Sequence, residues 1–118
     1  MCIIELEGLH FYAYHGYYEL ERIIGNEFVV NVTIETDNTL AGNTDQLEDA
    51  LNYQQVYDIV KYEMEIKSNL LEHVAKRIID SLWKSFPGSE SIMVKVTKLN
   101  PPMGGEVEKA SVTMKLKK

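Results

Sequence analysis

Chemistry by proton transfer is first indicated by a lysine near the end of the chain. Lys98 has the same parity as Ile92, Val94 and Val96, which places it at the end of the apolar face of a predicted strand. A lysine there either extends its ammonium into solvent or is held partly desolvated, where its pKa falls and it can move protons. Position alone leaves both interpretations open. In either case, the stiff turn Asn100-Pro101-Pro102 would fix the direction of the ammonium.

Two further candidates, Glu72 and Tyr53, stand at the starts of predicted helices. A carboxylate in a first helical turn is stabilised by the helix dipole, which is a sufficient structural reason for Glu72. The same carboxylate could accept two hydrogen bonds from an amidine-like or guanidine-like ligand edge, beside free helix N–H groups. Tyr53 follows the predicted cap Asn52. Its ring could simply pack against neighbours, or its hydroxyl could act as an acid or base.

The predicted loop from Ala13 to Asn26 is long for a hairpin, and long loops in compact domains are often functional. It joins His15-Gly16 to two nearby carboxylates, Glu19 and Glu21, a grouping that indicates a site without defining its chemistry. The tyrosines of the same loop would equally suit a subunit interface. A metal site is not indicated, because the tight spacing of metal ligands is missing among the three histidines, His10, His15 and His73.

Four strands and two helices are predicted to position these residues. Apolar and polar residues alternate along each predicted strand, with Gly8 as a bulge in the first, and apolar residues recur at helical spacing in between. The order ββααββ indicates an α+β fold, an antiparallel four-stranded sheet with two helices on one face. Residues 37–45 are predicted as turns. We expect strands at 3–12, 27–37, 91–98 and 107–117, a helix from Asn52 to about Lys67, and a second helix that Ser68 or Asn69 caps and Pro87-Gly88 ends.

Such a sheet has two long edges, and an isolated monomer would have to protect them from pairing with other chains. Lateral pairing of subunits into a larger closed sheet is one solution, so the pattern predicts a homo-oligomer. Charged side chains that block edge pairing are the alternative.

Length and composition indicate one globular domain, residues 1–118. The contents of 45% hydrophobic and 25% charged residues exclude a disordered or fibrous chain. Since 18 acidic residues outnumber 12 basic ones, nucleic acid and anionic membranes are not expected partners. No membrane-length apolar run or signal-peptide pattern is present, which predicts a cytoplasmic protein. A single cysteine, Cys2, excludes a disulfide framework and a multi-cysteine zinc site.

Five short motifs follow one another along almost the whole chain. They are Phe11-Tyr12-Ala13-Tyr14-His15-Gly16, Glu21 with Gly25, Leu51-Asn52-Tyr53 with Val56, Asn69-Leu70-Leu71-Glu72, and Lys98-Leu99-Asn100-Pro101-Pro102. Together they resemble the dihydroneopterin aldolases. The resemblance implies the tunnelling fold (T-fold), a ββααββ subunit whose sheets join into a barrel. It also implies a ring of four subunits, with two rings commonly stacked into an octamer.

The activity that the resemblance implies is a lyase reaction of folate biosynthesis. 7,8-Dihydroneopterin undergoes retro-aldol cleavage to 6-hydroxymethyl-7,8-dihydropterin and glycolaldehyde, usually with some epimerisation at C2′. The N5=C6 imine of the pterin already accepts the electrons of the broken bond. The reaction therefore implies no Schiff base, no metal and no cofactor, only proton transfer.

The resemblance also implies a role for each candidate. Lys98 would be the main acid/base residue, and Tyr53, reaching in from a neighbouring subunit, would assist protonation of the intermediate. Glu72, with the Leu71 backbone beside it, would bind the 2-amino and N3 edge of the pterin. Glu21 would contact or orient the hydroxylated tail.

Two other functions remain open at this point. A dihydroneopterin triphosphate epimerase on the same fold would need a triphosphate site, and the sequence offers no obvious Lys/Arg cluster for one. A pterin-binding ring without catalysis would keep Glu72 but would tolerate loss of Lys98 and Tyr53. The segment Met103-Gly104-Gly105 departs from the family pattern, because relatives often have a second proline-glycine turn there.

Overall fold

One antiparallel sheet organises the molecule. The computed structural model describes all residues, Met1–Lys118. The sheet has the strand order β1-β2-β3-β4, so that β1 and β4 form its two edges. All four predicted strands are confirmed, with ends that shift by one or two residues. They are β1 (Cys2–Ala13), β2 (Asn26–Thr36), β3 (Ser89–Leu99) and β4 (Lys109–Lys117).

The predicted bulge at Gly8 is confirmed. The register of β1 against β2 shifts between Leu6 and Leu9, and Gly8 has a φ of 71°, in the region that favours glycine. The Gly8 N–H donates instead to the side-chain oxygen of Asn31 on β2, at 2.6 Å. The bulge keeps Leu6 and Leu9 both on the side of the sheet that packs against the core.

Both predicted helices are present and pack on one face of the sheet. The first of these two helices is α3 (Tyr53–Met64), since two short helical segments, α1 (Glu19–Ile24) and α2 (Ala41–Thr44), precede it in the chain. It is capped by Asn52, whose side chain accepts a hydrogen bond from the Gln54 N–H at 3.0 Å. It ends at Met64, before the predicted end at Lys67. No helix of the structure combines the length and apolar character needed to cross a membrane.

The predicted cap of the second helix, α4 (Leu71–Ser85), is wrong. Leu70 occupies the cap position without a side-chain hydrogen bond. Ser68 is used elsewhere, since its hydroxyl lies 2.7 Å from His73 Nδ1, and Asn69 accepts a hydrogen bond from Arg22 at 3.2 Å. These two polar side chains hold neighbouring segments together rather than the helix end.

Three short helical segments lie where only loops or turns were expected. They are too short to produce a recognisable helical period, and none contains a buried residue that would reveal a packed face. They are α1 (Glu19–Ile24), α2 (Ala41–Thr44) and a 3₁₀ turn (Leu47–Asp49).

A partly buried ion pair joins α3 to α4. Arg77 lies 2.6 Å from a carboxylate oxygen of Glu63, and the Ser81 hydroxyl donates to the other oxygen at 2.7 Å. Arg77 also donates to the Ile66 carbonyl at 2.7 Å and to the Ser68 hydroxyl at 3.0 Å. The loop between the two helices is thereby fixed against α4.

The hydrophobic core lies between the sheet and these two helices. Its sixteen buried residues come mainly from the inward face of β2 and β3 and from the apolar stripes of α3 and α4. They are Ala13, Phe28, Val30, Val32, Ile34, Val56, Val60, Met64, Val74, Ala75, Ile78, Ile79, Leu82, Ile92, Val94 and Val96.

Candidate active site

Lys98 lies at the end of the core-facing side of β3, opposite Phe28 of β2 and Ala110 of β4. Its Nζ is 2.5 Å from a carboxylate oxygen of Glu21 and 5.7 Å from the centre of the Phe28 ring. The side chains of Lys98 and Glu21 are only 11% and 15% exposed. The ammonium of Lys98 is therefore held partly desolvated and does not extend into solvent.

Two features allow the Glu21 carboxylate to reach Lys98: the start of α1, which holds the carboxylate, and Gly16, which leaves space for it. The Tyr18 N–H donates to Glu21 Oε1 at 3.4 Å, which holds the carboxylate at the start of the short helix. A Cβ added to Gly16 would lie 2.6 Å from Glu21 Cβ, closer than such atoms can approach, and would press on Oε1 at 3.0 Å. Gly16 is therefore required for Glu21 to pack where it does.

A pair of hydrogen bonds joins His15-Gly16 to the loop before α4. The Ser68 N–H donates to His15 Nδ1 at 3.2 Å, and the Gly16 N–H donates to the Ser68 carbonyl at 3.0 Å. We call these two bonds the His15–Ser68 clamp. It fixes the segment that carries Glu21 against the segment that leads into Leu71 and Glu72.

Leu71 and Glu72 form the first turn of α4, directly after the clamped loop. Leu71 is half-buried, and the Glu72 side chain is exposed. The first backbone N–H groups of a helix have no partner within the helix. The clamp thus brings the start of α4, with its exposed carboxylate and free N–H donors, to the same end of the sheet as the lysine–carboxylate pair.

A cavity of about 360 Å³ opens beside Glu21. It is lined in part by Gly25 and Asn26 before β2 and by Asn100 and Pro102 after β3. Asn100 adopts a φ of 47°, and its N–H donates to the Glu108 carbonyl at 2.7 Å, which closes the turn that follows Lys98. The cavity has a size suited to a small molecule.

Tyr53 does not lie at the end of the sheet that carries Lys98 and Glu21. Its side chain is 66% exposed and borders a separate cavity of about 490 Å³ together with Cys2, Thr36 and Ser89. Ser89 and Lys98 lie near opposite ends of β3, and a strand rises about 3.3 Å per residue, which separates them by about 30 Å. One chain therefore contains the predicted site residues in two groups.

His15 is a buried residue whose importance the sequence indicated only through its place beside Gly16. It is 1% exposed, its ring packs edge-on against Phe28, and its Nε2 has no hydrogen-bond partner. Burial, followed by the positive charges of Arg77 and Lys98, lowers the pKa of His15 to about 4, against an opposing effect of the Met64 carbonyl. No group of three or more His, Cys, Asp or Glu side chains is arranged for a metal ion.

Comparison with known proteins identifies the family. Residues 4–115 match the family model described as FolB, dihydroneopterin aldolase. A dihydroneopterin aldolase from Staphylococcus epidermidis is 39% identical over 107 residues, which cover 90% of this chain and 88% of the relative. The chain belongs to the dihydroneopterin aldolase family. The Bacillus subtilis aldolase is 34% identical over 116 residues, 98% of this chain and 97% of the relative.

The predicted fold is confirmed by solved structures. Dihydroneopterin aldolase of Escherichia coli, in a complex with neopterin, superposes with a TM-score of 0.89 at 24% identity, covering 98% of this chain and 99% of that one. The chain thus has the α+β T-fold subunit of the aldolases. Membership of the family makes it a lyase of folate biosynthesis that performs the retro-aldol cleavage of dihydroneopterin.

The lowered pKa of His15 predicts a pH-dependent stability. The pKa of His15 is about 4 in the folded chain and 6.5, the ordinary value of histidine, in the unfolded chain. At a pH between these two values, the imidazole of the unfolded chain is protonated and that of the folded chain is not. We expect the free energy of unfolding to fall as the pH drops through this window. In His15→Gln this part of the decrease should disappear. Urea unfolding at a fixed protein concentration and several pH values would measure the difference.

The matched control is His10→Gln, which replaces an exposed histidine of β1. An unchanged pH dependence in His15→Gln would contradict the burial of a neutral imidazole at this position.

Proposed function

We propose that Lys98, paired with Glu21, is the acid/base group that cleaves the C1′–C2′ bond of 7,8-dihydroneopterin. The observation that supports this role is the partly buried ion pair, with Nζ and Oε2 2.5 Å apart, next to a cavity of about 360 Å³. A lysine shielded from water and held in one orientation suits proton transfer better than a mobile surface lysine.

The reaction needs four proton movements. A base removes the proton of the 2′-hydroxyl, the C1′–C2′ bond breaks, and glycolaldehyde leaves with the new carbonyl at C2′. The two electrons of the broken bond pass through C6 to N5, which takes up a proton. Protonation at C1′ and loss of the N5 proton then give 6-hydroxymethyl-7,8-dihydropterin. Lys98 acts directly or through a water molecule in these steps, and Glu21 orients it and the hydroxylated tail.

The pterin ring is anchored at the start of α4. The exposed Glu72 carboxylate accepts two hydrogen bonds from the 2-amino and N3 positions, and the Leu71 backbone lies beside the ring. Support for a pterin ligand comes from the E. coli relative, whose structure contains neopterin. The His15–Ser68 clamp keeps this anchor at a fixed distance from Lys98.

Tyr53 completes the site from a second copy of the chain, where it assists protonation of the intermediate. The support is that Tyr53 borders the cavity at Ser89, about 30 Å of strand rise from Lys98 along β3, together with two unpaired sheet edges. Closure of a sheet into a barrel requires neighbouring strands to be staggered, which shifts the helix layer of one copy along the next. A tetrameric ring, stacked in pairs into an octamer, is the assembly we propose.

The remaining features of the proposal follow from the family. The protein acts in the cytoplasm as a single domain, 1–118, without a cofactor, and also epimerises C2′ to a smaller extent. The triphosphate epimerase is disfavoured because no cluster of Lys and Arg lies at the cavity beside Glu21.

The activity is tested by incubating the protein with 7,8-dihydroneopterin without oxygen and with excess EDTA, and by following the products by mass spectrometry. We expect 6-hydroxymethyl-7,8-dihydropterin and glycolaldehyde in equal amounts. Formation of dihydromonapterin alone would indicate an epimerase instead. Binding without any turnover would indicate a non-catalytic ring.

Lys98→Ala should lower turnover by ~10²–10⁴-fold, the usual contribution of a proton-transfer residue, while pterin binding changes little. Lys95→Ala is the matched control, because Lys95 lies on the same strand but on the opposite, exposed face. Steady-state kinetics and a direct binding measurement separate the two effects. Normal turnover in Lys98→Ala would remove this lysine from the mechanism.

Glu72→Gln should act on binding, because the neutral amide cannot replace a carboxylate that accepts two hydrogen bonds. We expect pterin affinity to fall roughly 10- to 100-fold. Asp80→Asn, an exposed carboxylate on the same helix, should leave affinity unchanged. Calorimetric titration with a non-reacting pterin would measure both, and equal affinity in Glu72→Gln would rule out the anchor.

The shared site predicts complementation between two inactive variants. In rings formed by co-expressing Tyr53→Phe with Lys98→Ala, about a quarter of random neighbour pairs combine an intact Lys98 with an intact Tyr53. We expect the mixed rings to regain about that share of wild-type turnover, above either variant alone. If both residues acted within one chain, the mixture would show only the average of the two variants.

A further inference from the structure

His15 is buried beside the residues that hold the two members of the ion pair. Its imidazole is 1% exposed and packs edge-on against Phe28, with the ring centres 5.3 Å apart. The Lys98 ammonium lies over the same Phe28 ring, 5.7 Å from its centre. The chain continues from His15 into Gly16, against which Glu21 packs. A shift of this imidazole would therefore reach both the lysine and the carboxylate.

The hydrogen bond from Ser68 fixes which nitrogen of the imidazole carries the proton. A backbone N–H can only donate, so Nδ1, which lies 3.2 Å from the Ser68 nitrogen, accepts and carries no hydrogen. The proton of the neutral imidazole is then on Nε2. Burial, and after it the positive charges of Arg77 and Lys98, lower the pKa of His15 to about 4. Nδ1 therefore remains an acceptor at neutral pH.

Packing alone does not account for a histidine at this position. The Nε2–H is buried without a hydrogen-bond partner, and such a donor is less favourable there than an apolar side chain. The Met64 carbonyl raises the pKa of the imidazole but is not aligned to accept a hydrogen bond. The contribution that an apolar residue could not make is the Nδ1 acceptor for the Ser68 N–H.

The bond to Nδ1 is also the part of the His15–Ser68 clamp that depends on a side chain. The second bond, from the Gly16 N–H to the Ser68 carbonyl, joins two backbone groups and needs no side chain at position 15. One hydrogen bond leaves two segments free to rotate about it, whereas two bonds at adjoining residues fix both their distance and their angle. Loss of the acceptor would therefore turn a rigid connection into a pivot.

We propose that His15 is a positioning residue for the cleavage, and that its Nδ1 fixes the pterin anchor at Glu72 relative to Lys98. The inference rests on the proposed function and adds to it a residue that does not touch the substrate. Ser68 precedes Glu72 by four residues, so the clamp holds the segment that leads into the anchor. A displacement of about 1 Å between bound substrate and a catalytic group can lower the rate by roughly 10²-fold.

A ligand senses this connection only when it spans both segments. Neopterin has the pterin ring and the hydroxylated tail, so its affinity combines contacts at Glu72 with contacts at Glu21 and Lys98. Pterin has no tail and reaches the anchor alone. The ratio of the two affinities therefore reports how the two segments are held relative to each other.

Two substitutions at position 15 separate the acceptor from the packing. His15→Asn places an amide oxygen where Nδ1 lies but loses much of the volume of the imidazole. His15→Leu keeps more of the volume and has no acceptor. A packing role favours the leucine variant, whereas the proposed role favours the asparagine variant. Calorimetric titration with neopterin and with pterin gives the affinity ratio, and steady-state kinetics with 7,8-dihydroneopterin give kcat and KM.

We expect His15→Leu to bind pterin as the unmodified chain does, but to lose roughly tenfold in neopterin affinity and about 10²-fold in kcat. His15→Asn should keep the affinity ratio of the unmodified chain and should have the higher kcat of the two variants. Equal affinity ratios and equal kcat values in the two variants would overturn the proposal, and so would a leucine variant that performs better than the asparagine variant.

Val94→Ala is the control for a loss of stability alone, because it removes buried volume from the middle of β3, away from the clamp. Its affinity ratio and its kcat should match those of the unmodified chain. Urea unfolding compares the stability of the three variants, and sedimentation velocity compares their assembly. A decrease in Val94→Ala as large as that in His15→Leu would show that stability, and not the clamp, controls the site.

A measurement on the unmodified protein does not depend on the folding of any variant. Nitrogen NMR chemical shifts of the His15 imidazole show which of its nitrogens carries the proton. We expect the proton on Nε2, and a proton on Nδ1 at neutral pH would overturn the proposal. If the unmodified protein binds neopterin but does not cleave 7,8-dihydroneopterin, the proposed function fails while the affinity ratios still decide the role of His15. Absence of any pterin binding would overturn both.

Discussion

The ion pair between Lys98 and Glu21 sets the demands that the rest of this small domain has to meet. Removal of a lysine and a carboxylate from water is costly, and their attraction offsets the cost only when the geometry is held closely. The holding comes from several sources. β3 fixes the lysine stem against the core, α1 fixes Glu21, and Gly16 leaves room for the carboxylate. The position of the ion pair thus depends on the strand, the short helix and the glycine around it.

The same constraint explains why the second half of the proposed site lies at a distance. A domain of 118 residues with one sheet and two packing helices has one hydrophobic core and little material for a closed pocket. Lys98, Glu21 and Glu72 occupy one end of the sheet, and Tyr53 borders a cavity at the other. In the ring that we propose, neighbouring copies would supply walls that one chain cannot build. The unpaired sheet edges, which expose free backbone groups in a monomer, would be the surfaces through which the copies join.

The sequence predicted the parts of the fold that depend on repeated side-chain patterns. The strands and the two long helices have periods of two and about 3.6 residues, which report directly on one buried face. α1 was missed because six residues with no buried side chain show no period. The cap of α4 was misassigned because Ser68 and Asn69 bind other side chains, His73 and Arg77 of α4 and Arg22 of α1, instead of the free N–H groups of the helix. Such contacts of single polar residues leave no periodic pattern in the sequence.

Prediction of the site had the same limit. Parity placed Lys98 correctly, but its pairing with Glu21 joins residues 77 positions apart and depends on a helix that the sequence did not reveal. Glu21 and Glu72 are the same residue type, and their different surroundings support the different roles that we propose for them. Glu21 is shielded and compensated by a lysine, so it is suited to hold a proton-transfer group in place. Glu72 stands exposed at a helix start with its acceptor atoms free, so it can bind a ligand.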